Sequence, residues 1–192
     1  MNRKTLLLVT LFVEGGLYVI GLLLMGGSGA LRESFSLSWS ATFFALLLSL
    51  PMFAVLFFTE RSEWEPLSRL GNEILEKVVP IFANSSVVDL MLIALLAGVG
   101  EELFFRGWLQ GALASRFGIW SGILAASAIF GFAHYLSSTY AIYAFITGIY
   151  LGMIYYLTEN LYVVMLIHGL YDFIALVYLV RKEKEKETYS EL

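Results

Sequence analysis

Gly98-Val99-Gly100-Glu101-Glu102-Leu103-Phe104-Phe105-Arg106-Gly107 sets three ionisable side chains into a run otherwise apolar enough to lie in a bilayer. A charge at the bilayer centre costs about 2.5 to 3.5 kcal/mol on insertion scales, so three within six residues require partners, a water-filled cavity or a function. On an α-helix Glu102 and Arg106 stand four apart and pair on one face. Glu101 lies roughly 140° around from Arg106 and points elsewhere. Two readings compete: a buried ion-pair network in which both carboxylates bracket the arginine, and a functional site. Charge at membrane depth favours the second.

The composition around this stretch places the chain in the membrane. Of 192 residues, 59% are hydrophobic and 15% charged, and the mean hydropathy is +0.78, values outside the range of soluble domains. The expected fold class is therefore all-α, a polytopic transmembrane helix bundle forming a single domain over residues 1–192. With no cysteine, disulfides, thiolate nucleophiles and Cys-ligated zinc are excluded. The net charge of -4 is small, and the basic residues gather at span edges with no basic groove, so nucleic acid is not an expected partner. The lipid bilayer is.

Working outward, the sequence predicts about six membrane spans plus one cytoplasmic interfacial amphipathic helix. Asn2-Arg3-Lys4 and the apolar run after it imitate a signal peptide, but the run is long and lacks a small-x-small cleavage site, so Leu6 to Met25 is expected to stay as the first span. Its anomaly is Glu14, expected to face the bundle interior. Gly26 to Ser34 reads as a turn, and Ala41 to Phe58 as the second span, kinked at Pro51. Between Glu60 and Ser86 the chain turns polar, while Leu67, Leu70, Ile74 and Val78 recur at helical spacing after Pro66. That pattern predicts the interfacial helix, stopping around Pro80. The remaining spans are expected at Val87–Leu113, Ile119–Leu136, Tyr140–Leu157 and Leu161–Val180, with a turn at Arg116 and Gly118. Gly148 and Gly152 form a GxxxG read as helix packing. An even number of spans puts both ends of the chain on one side. Arg3, Lys4, Arg61, Arg69, Lys77, Arg181, Lys182, Lys184 and Lys186 share that side against Arg32 and Arg116 opposite, so both termini are expected to be cytoplasmic. No internal repeat points to an inverted-repeat transporter.

Both histidines of the chain fall in predicted spans, His134 in the fourth and His168 in the sixth, with Asp172 one turn beyond His168. Each alone reads as a packing residue. With Glu101, Glu102 and Arg106, three helices each contribute an expensive polar side chain, and a bundle can converge them into a hydrolytic site. A carboxylate withdrawn from water is a stronger base toward a water molecule than one in solvent. There is no cysteine and no serine in a Gly-x-Ser-x-Gly setting, so the expected nucleophile is water. Zinc held by histidine and glutamate is the alternative, although the HExxH ligand pair is absent. No other cofactor is expected.

These residues also resemble a known pattern. Glu101-Glu102-Leu103-Phe104-Phe105-Arg106 matches EExxxR, Phe130-Gly131-Phe132-Ala133-His134 matches FxxxH, and His168-Gly169-Leu170-Tyr171-Asp172 matches Hxxx(N/D). The chain thus resembles the CPBP family of intramembrane proteases, which includes the type II CAAX prenyl endopeptidases and the bacterial Abi and bacteriocin-immunity relatives. The resemblance covers about residues 87–180, the expected catalytic core, and the first two spans carry no family motif. It implies an intramembrane glutamic-type endopeptidase acting on a peptide or prenylated peptide. By the same resemblance Glu101 is the general base, His134 its water-orienting partner, His168 an oxyanion donor, and Glu102 with Arg106 an orienting pair.

Asp172 departs from the CAAX endopeptidases, which have asparagine there. An ionised aspartate cannot donate to an oxyanion. Either Asp172 stays protonated in a dry site, or it pairs with His168 and keeps an imidazolium as the donor. Two other functional classes stand beside the protease: a non-catalytic membrane scaffold or immunity/assembly factor of the same fold, and an ion pathway suggested by Glu14 and the interior charges.

Overall fold

A computed structural model describes residues 2–190, and these form helices and turns with no strand. The helices are α1 (Arg3–Leu24), α2 (Ser28–Glu33), α3 (Trp39–Thr59), α4 (Glu65–Glu73), α5 (Val79–Phe82), α6 (Val87–Glu102), α7 (Gly111–Phe117), α8 (Ile119–Ala133), α9 (Ser138–Thr158) and α10 (Leu161–Ser190). Two π-helical segments, Ile74–Val78 and Leu103–Gln110, join α4 to α5 and α6 to α7 without a break. The fold class is the one the composition implies: an all-α bundle of an integral membrane protein.

Small polar residues start the long helices. Asn2 caps α1 by accepting from the Thr5 amide, Ser38 caps α3, and Ser137 caps α9. Ser86 and Asp89 form a reciprocal capping box at the head of α6. At the α7–α8 corner the chain reverses on Gly118, whose φ of +86° favours glycine. Pro51 is accommodated inside α3, where the Tyr150 hydroxyl of α9 donates to the nearby Leu48 carbonyl at 2.6 Å. Pro66 occupies the first turn of α4, as its spacing predicts. Pro80 does not end the interfacial helix, which runs on to Phe82. The π-helical turn over Ile74–Val78 widens the coil just ahead of the proline ring, where a regular α-turn would clash.

The span count differs from the six predicted. Four helices (Arg3–Leu24, Trp39–Thr59, Ser138–Thr158 and Leu161–Lys186) are long and apolar enough to cross a membrane. A fifth crossing results if Glu65–Phe82 and Val87–Phe117, bent by 110°, form one broken span. The predicted third span falls short because Asp89, Glu101, Glu102 and Arg106 make it too polar. The predicted fourth falls short because α8 has only 15 residues, about 22 Å against a hydrocarbon core of about 30 Å.

Helices α6 and α10 pack together at the centre, and α1 lies against α6 with most of its surface exposed. Arg3 at the head of α1 forms an ion pair with Asp89 at the head of α6 (2.6 Å), and further along Gly21 lies against the Phe104 backbone, so α1 runs parallel to α6. The tail of α10 meets the head of α6 around Leu90 and Val180, while Gly98 lies against Gly169, so α10 runs antiparallel to α6. The head of α1 and the tail of α10 consequently share one end of the bundle. Helix α3 runs alongside α10, tied by Thr42 to Tyr162 and by Glu60 to Lys182.

Glycine sets these distances. A Cβ on Gly98 would fall 2.7 Å from the Gly169 amide nitrogen, and one on Gly100 would fall 2.4 Å from the Glu14 carbonyl oxygen. Both neighbours are backbone, so a whole helix must shift to admit a methyl group. Gly100→Ala is expected to cost about 1 to 3 kcal/mol as overpacking, read as a lower melting temperature in detergent. Gly16→Ala, with nothing within 4 Å of its added carbon, is expected to be neutral or stabilising by up to about 1 kcal/mol. Equal melting temperatures for the two variants would contradict this account of the α1–α6 contact.

Candidate active site

The six side chains singled out by the sequence converge on one buried cluster drawn from α6, the π-helical segment after it, α8 and α10. Glu102 is at its centre. Its Oε1 accepts from Arg106 Nη1 at 2.7 Å and from His168 Nδ1, also at 2.7 Å. Glu102 is fully buried and Arg106 is 2% exposed. Arg106 also donates from Nη2 to the Gly148 carbonyl (3.1 Å), and its guanidinium lies 4.8 Å from the centre of the Phe130 ring. The expected Glu102–Arg106 pair is present and has acquired a histidine.

Glu101 is oriented differently. It is 7% exposed, and its Oε1 lies 3.6 Å from His134 Nε2 while its Oε2 lies 3.8 Å from His168 Nε2. Both distances exceed a direct hydrogen bond and suit an intervening water. The tautomer of His134 follows from its other nitrogen. Nδ1 lies 2.9 Å from the Phe130 carbonyl, which can only accept, so Nδ1 carries hydrogen and a neutral ring presents its lone pair from Nε2 toward Glu101. A water donating one hydrogen to Glu101 and the other to His134 satisfies both.

On His168 the arrangement reverses. Nδ1 donates to Glu102, and Nε2 faces Glu101 and Asp172, the latter at 3.4 Å from Oδ2. Asp172 therefore sits beside His168, one helical turn along α10.

Predicted element limits set Glu101 at mid-span and His134 near the end of a full-length fourth span, which would separate them. The short α8 resolves this. It ends at Ala133, His134 occupies its C-cap at the depth of Glu101, and α9 begins at Ser138. The intervening turn is held by the end of α4, since the Ser137 hydroxyl donates to the Glu73 carboxylate.

Three contributors escaped the sequence reading. Phe130 does more than mark a motif: its ring lies 4.4 Å from that of His134 and 6.1 Å from that of His168, forming the apolar wall between them. Gln110 is buried and donates from Nε2 to the Gly152 carbonyl at 3.0 Å. Its spacing of four from Arg106, itself four from Glu102, was the available signal. Gly148 and Gly152 pack closely as expected, against Ser127 and Ile123, and their carbonyls also receive Arg106 and Gln110. The third is the backbone itself, because Glu101 and Glu102 close α6 immediately before a π-helical segment, a feature enriched at functional sites and invisible to residue spacing. Glu14, expected to face the interior, has a buried carboxyl oxygen without a hydrogen-bond partner.

Among the described residues no three histidine, aspartate or glutamate side chains are disposed to hold one metal ion.

Fold and site together define a membrane protein with a buried cluster of glutamate and histidine side chains. Residues 83–174, just under half of the chain, match the family described as Type II CAAX prenyl endopeptidase Rce1-like. The matched stretch begins just before α6 and ends in α10, so it contains every residue of the cluster. The chain is also similar to the uncharacterized protein YpbD of Bacillus subtilis (strain 168), with 32% identity over 114 residues covering 56% of each chain. The chain thus spans little more than half the length of that relative. No solved structure matches it significantly.

Proposed function

We propose that the protein is an intramembrane endopeptidase of the CAAX-protease/Abi type that hydrolyses a peptide bond with water activated by Glu101 and His134. The observation that carries the reading is the 3.6 Å separation of Glu101 Oε1 and His134 Nε2, with the histidine tautomer set by the Phe130 carbonyl. A water between them gives a proton to Glu101 as its oxygen attacks the carbonyl carbon. Glu101 then returns that proton to the departing amine, so no covalent intermediate forms. His168 is the oxyanion donor through Nε2–H, and Asp172 is placed to pair with its imidazolium. That supports the second of the two roles open to Asp172. Glu102 and Arg106 fix the ring of His168 from the other side. The substrate is a peptide, prenylated or not, entering from the bilayer between helices. The end of the bundle holding Arg3, Arg61, Lys182 and Lys186 is the cytoplasmic one, with both termini there.

The test is cleavage of quenched fluorescent peptides, with and without a prenyl group, by purified protein in detergent. Activity is expected to survive exhaustive dialysis against a strong chelator, because the donors suit a bridging water better than a shared ion. Loss on chelation and recovery with zinc would replace the water mechanism with a metal one. A client that depends on the protein in cells but not on Glu101 would favour the scaffold role.

A further inference from the structure

Where α6 begins and the apolar run of α10 ends, the two helices leave a cavity of about 240 Å³ lined by Ser85, Val87, Leu90, Val177, Arg181 and Lys184. Liquid water takes about 30 Å³ per molecule, so the space admits a small polar group with part of its hydration. The sequence fixes its level. Val87 opens the hydrophobic α6, and Val180 is the last apolar residue of α10 before the charged tail. That boundary is where phospholipid headgroups lie. Leu90 and Val177 make the cavity apolar toward the bundle, while Arg181 and Lys184 make it basic toward the chain end.

Four kinds of hydrogen-bond donor meet there. Arg181 is exposed and has no ion pair or hydrogen bond among the described residues, whereas Arg3, Lys182 and Lys186 at the same end face Asp89, Glu60 and Glu183. Lys184 brings a second positive charge one turn further on. Of the four orphan amides at the head of α6, those of Ser86 and Asp89 are met by the capping box, which leaves those of Val87 and Val88. Ser85, just ahead of them, is 7% exposed, and its hydroxyl has no hydrogen-bond partner among the described residues. A hydroxyl withdrawn from water without a partner is costly, and rotation about one side-chain bond is enough to present it to a ligand. The neighbouring Asp89 carboxylate is neutralised, since Arg3 donates to both its oxygens at 2.6 and 2.9 Å. Helix amides, a guanidinium, an ammonium and an unsatisfied hydroxyl are together a donor set for a phosphate group. We propose that the cavity between the head of α6 and the tail of α10 is a phosphate site, filled at the membrane surface by the headgroup of an anionic phospholipid. A headgroup held there ties together the two helices that carry Glu101 and His168.

The test needs no turnover, so it stands or fails apart from the endopeptidase reading. Purified protein in a neutral detergent is titrated with dioleoylphosphatidylglycerol, and the dissociation constant is taken from the rise in melting temperature. Dioleoylglycerol is the phosphate-free control and inorganic phosphate the lipid-free one. Wild type should bind the phosphatidylglycerol and not the dioleoylglycerol. Arg181→Gln should weaken binding about tenfold to a hundredfold, the range for a hydrogen bond between charged groups, and Ser85→Ala, which changes no charge, about twofold to tenfold. Lys186→Gln removes the same charge from the same end but outside the cavity, and should change the constant little. Equal losses from Arg181→Gln and Lys186→Gln would reduce the effect to diffuse surface charge and overturn the site. An unchanged constant in Ser85→Ala, or dioleoylglycerol binding as tightly as the phosphatidylglycerol, would overturn it too. Inorganic phosphate should bind far more weakly, having no acyl chains to lie along the helices. Binding as tight as that of the lipid would overturn the assignment to a headgroup.

Discussion

Glu101→Gln is expected to fold normally and to cleave peptide about two to four orders of magnitude more slowly than wild type, the contribution typical of a positioned general base. Glutamine keeps the size of the side chain and can still accept a hydrogen bond from water, but cannot take the proton. The structure gives a reason why folding should tolerate the change. Arg106 is committed to Glu102 and to the Gly148 carbonyl, so no arginine loses its counter-ion. Glu102→Gln should be milder for chemistry, because Glu102 touches the water only through His168, but harder on the cluster, because its Oε1 holds both Arg106 and His168. The measurement is single-turnover cleavage by both variants, with melting temperatures alongside. A Glu101→Gln protein as fast as wild type would end the mechanism.

Most of the architecture was legible because it rests on periodicity and on polar residues at apolar depth. The limits of α1, α3 and α9 follow hydrophobic runs and small polar caps, whereas α10 outruns its apolar stretch, continuing past Val180 through the charged tail to Ser190. Convergence of the cluster was legible too, since Glu101, His134 and His168 are each too costly to leave facing lipid. The sequence could not reveal that α8 stops short or that the chain turns at residues 134–137 inside the bundle. Both depend on Ser137 finding Glu73, 64 residues away. Nor did it reveal the π-helical run after Glu102, because a hydrogen bond shifted by one residue leaves no mark in composition. Glu14 stood out as an anomaly from the start. Its destination was hidden, because it depends on the close approach of α1 that glycine permits at positions 21 and 100.

The short α8 also bears on the crossing count. Helix α8 carries the chain only to the depth of Glu101, whereas the 21 residues of α9 are long and apolar enough to cross. Four crossings, by α1, α3, α9 and α10, would put the head of α1 and the tail of α10 on one side, in keeping with the shared level of Arg3 and Arg181. Counting the bent pair as a fifth would separate them.

Arg106→Ala is expected to cost about 3 to 5 kcal/mol of stability, the range for removing one partner of a buried ion pair. Activity should fall with it. Truncation leaves the fully buried Glu102 carboxyl with His168 alone as hydrogen-bond donor among the described residues, and deprives the Gly148 carbonyl of its side-chain donor. Glu102 then lacks the arginine that fixes its carboxyl, so the His168 ring it holds is less firmly positioned and activity should fall even in molecules that stay folded. Arg106→Lys separates the two effects. Lysine restores the charge but not the planar fork that reaches Glu102 and Gly148 together, so it should recover more stability than activity. Thermal unfolding in detergent and kcat/KM on one peptide read the two quantities in parallel. An Arg106→Ala protein that is as stable and active as wild type would show that the buried pair neither holds the bundle together nor orients His168.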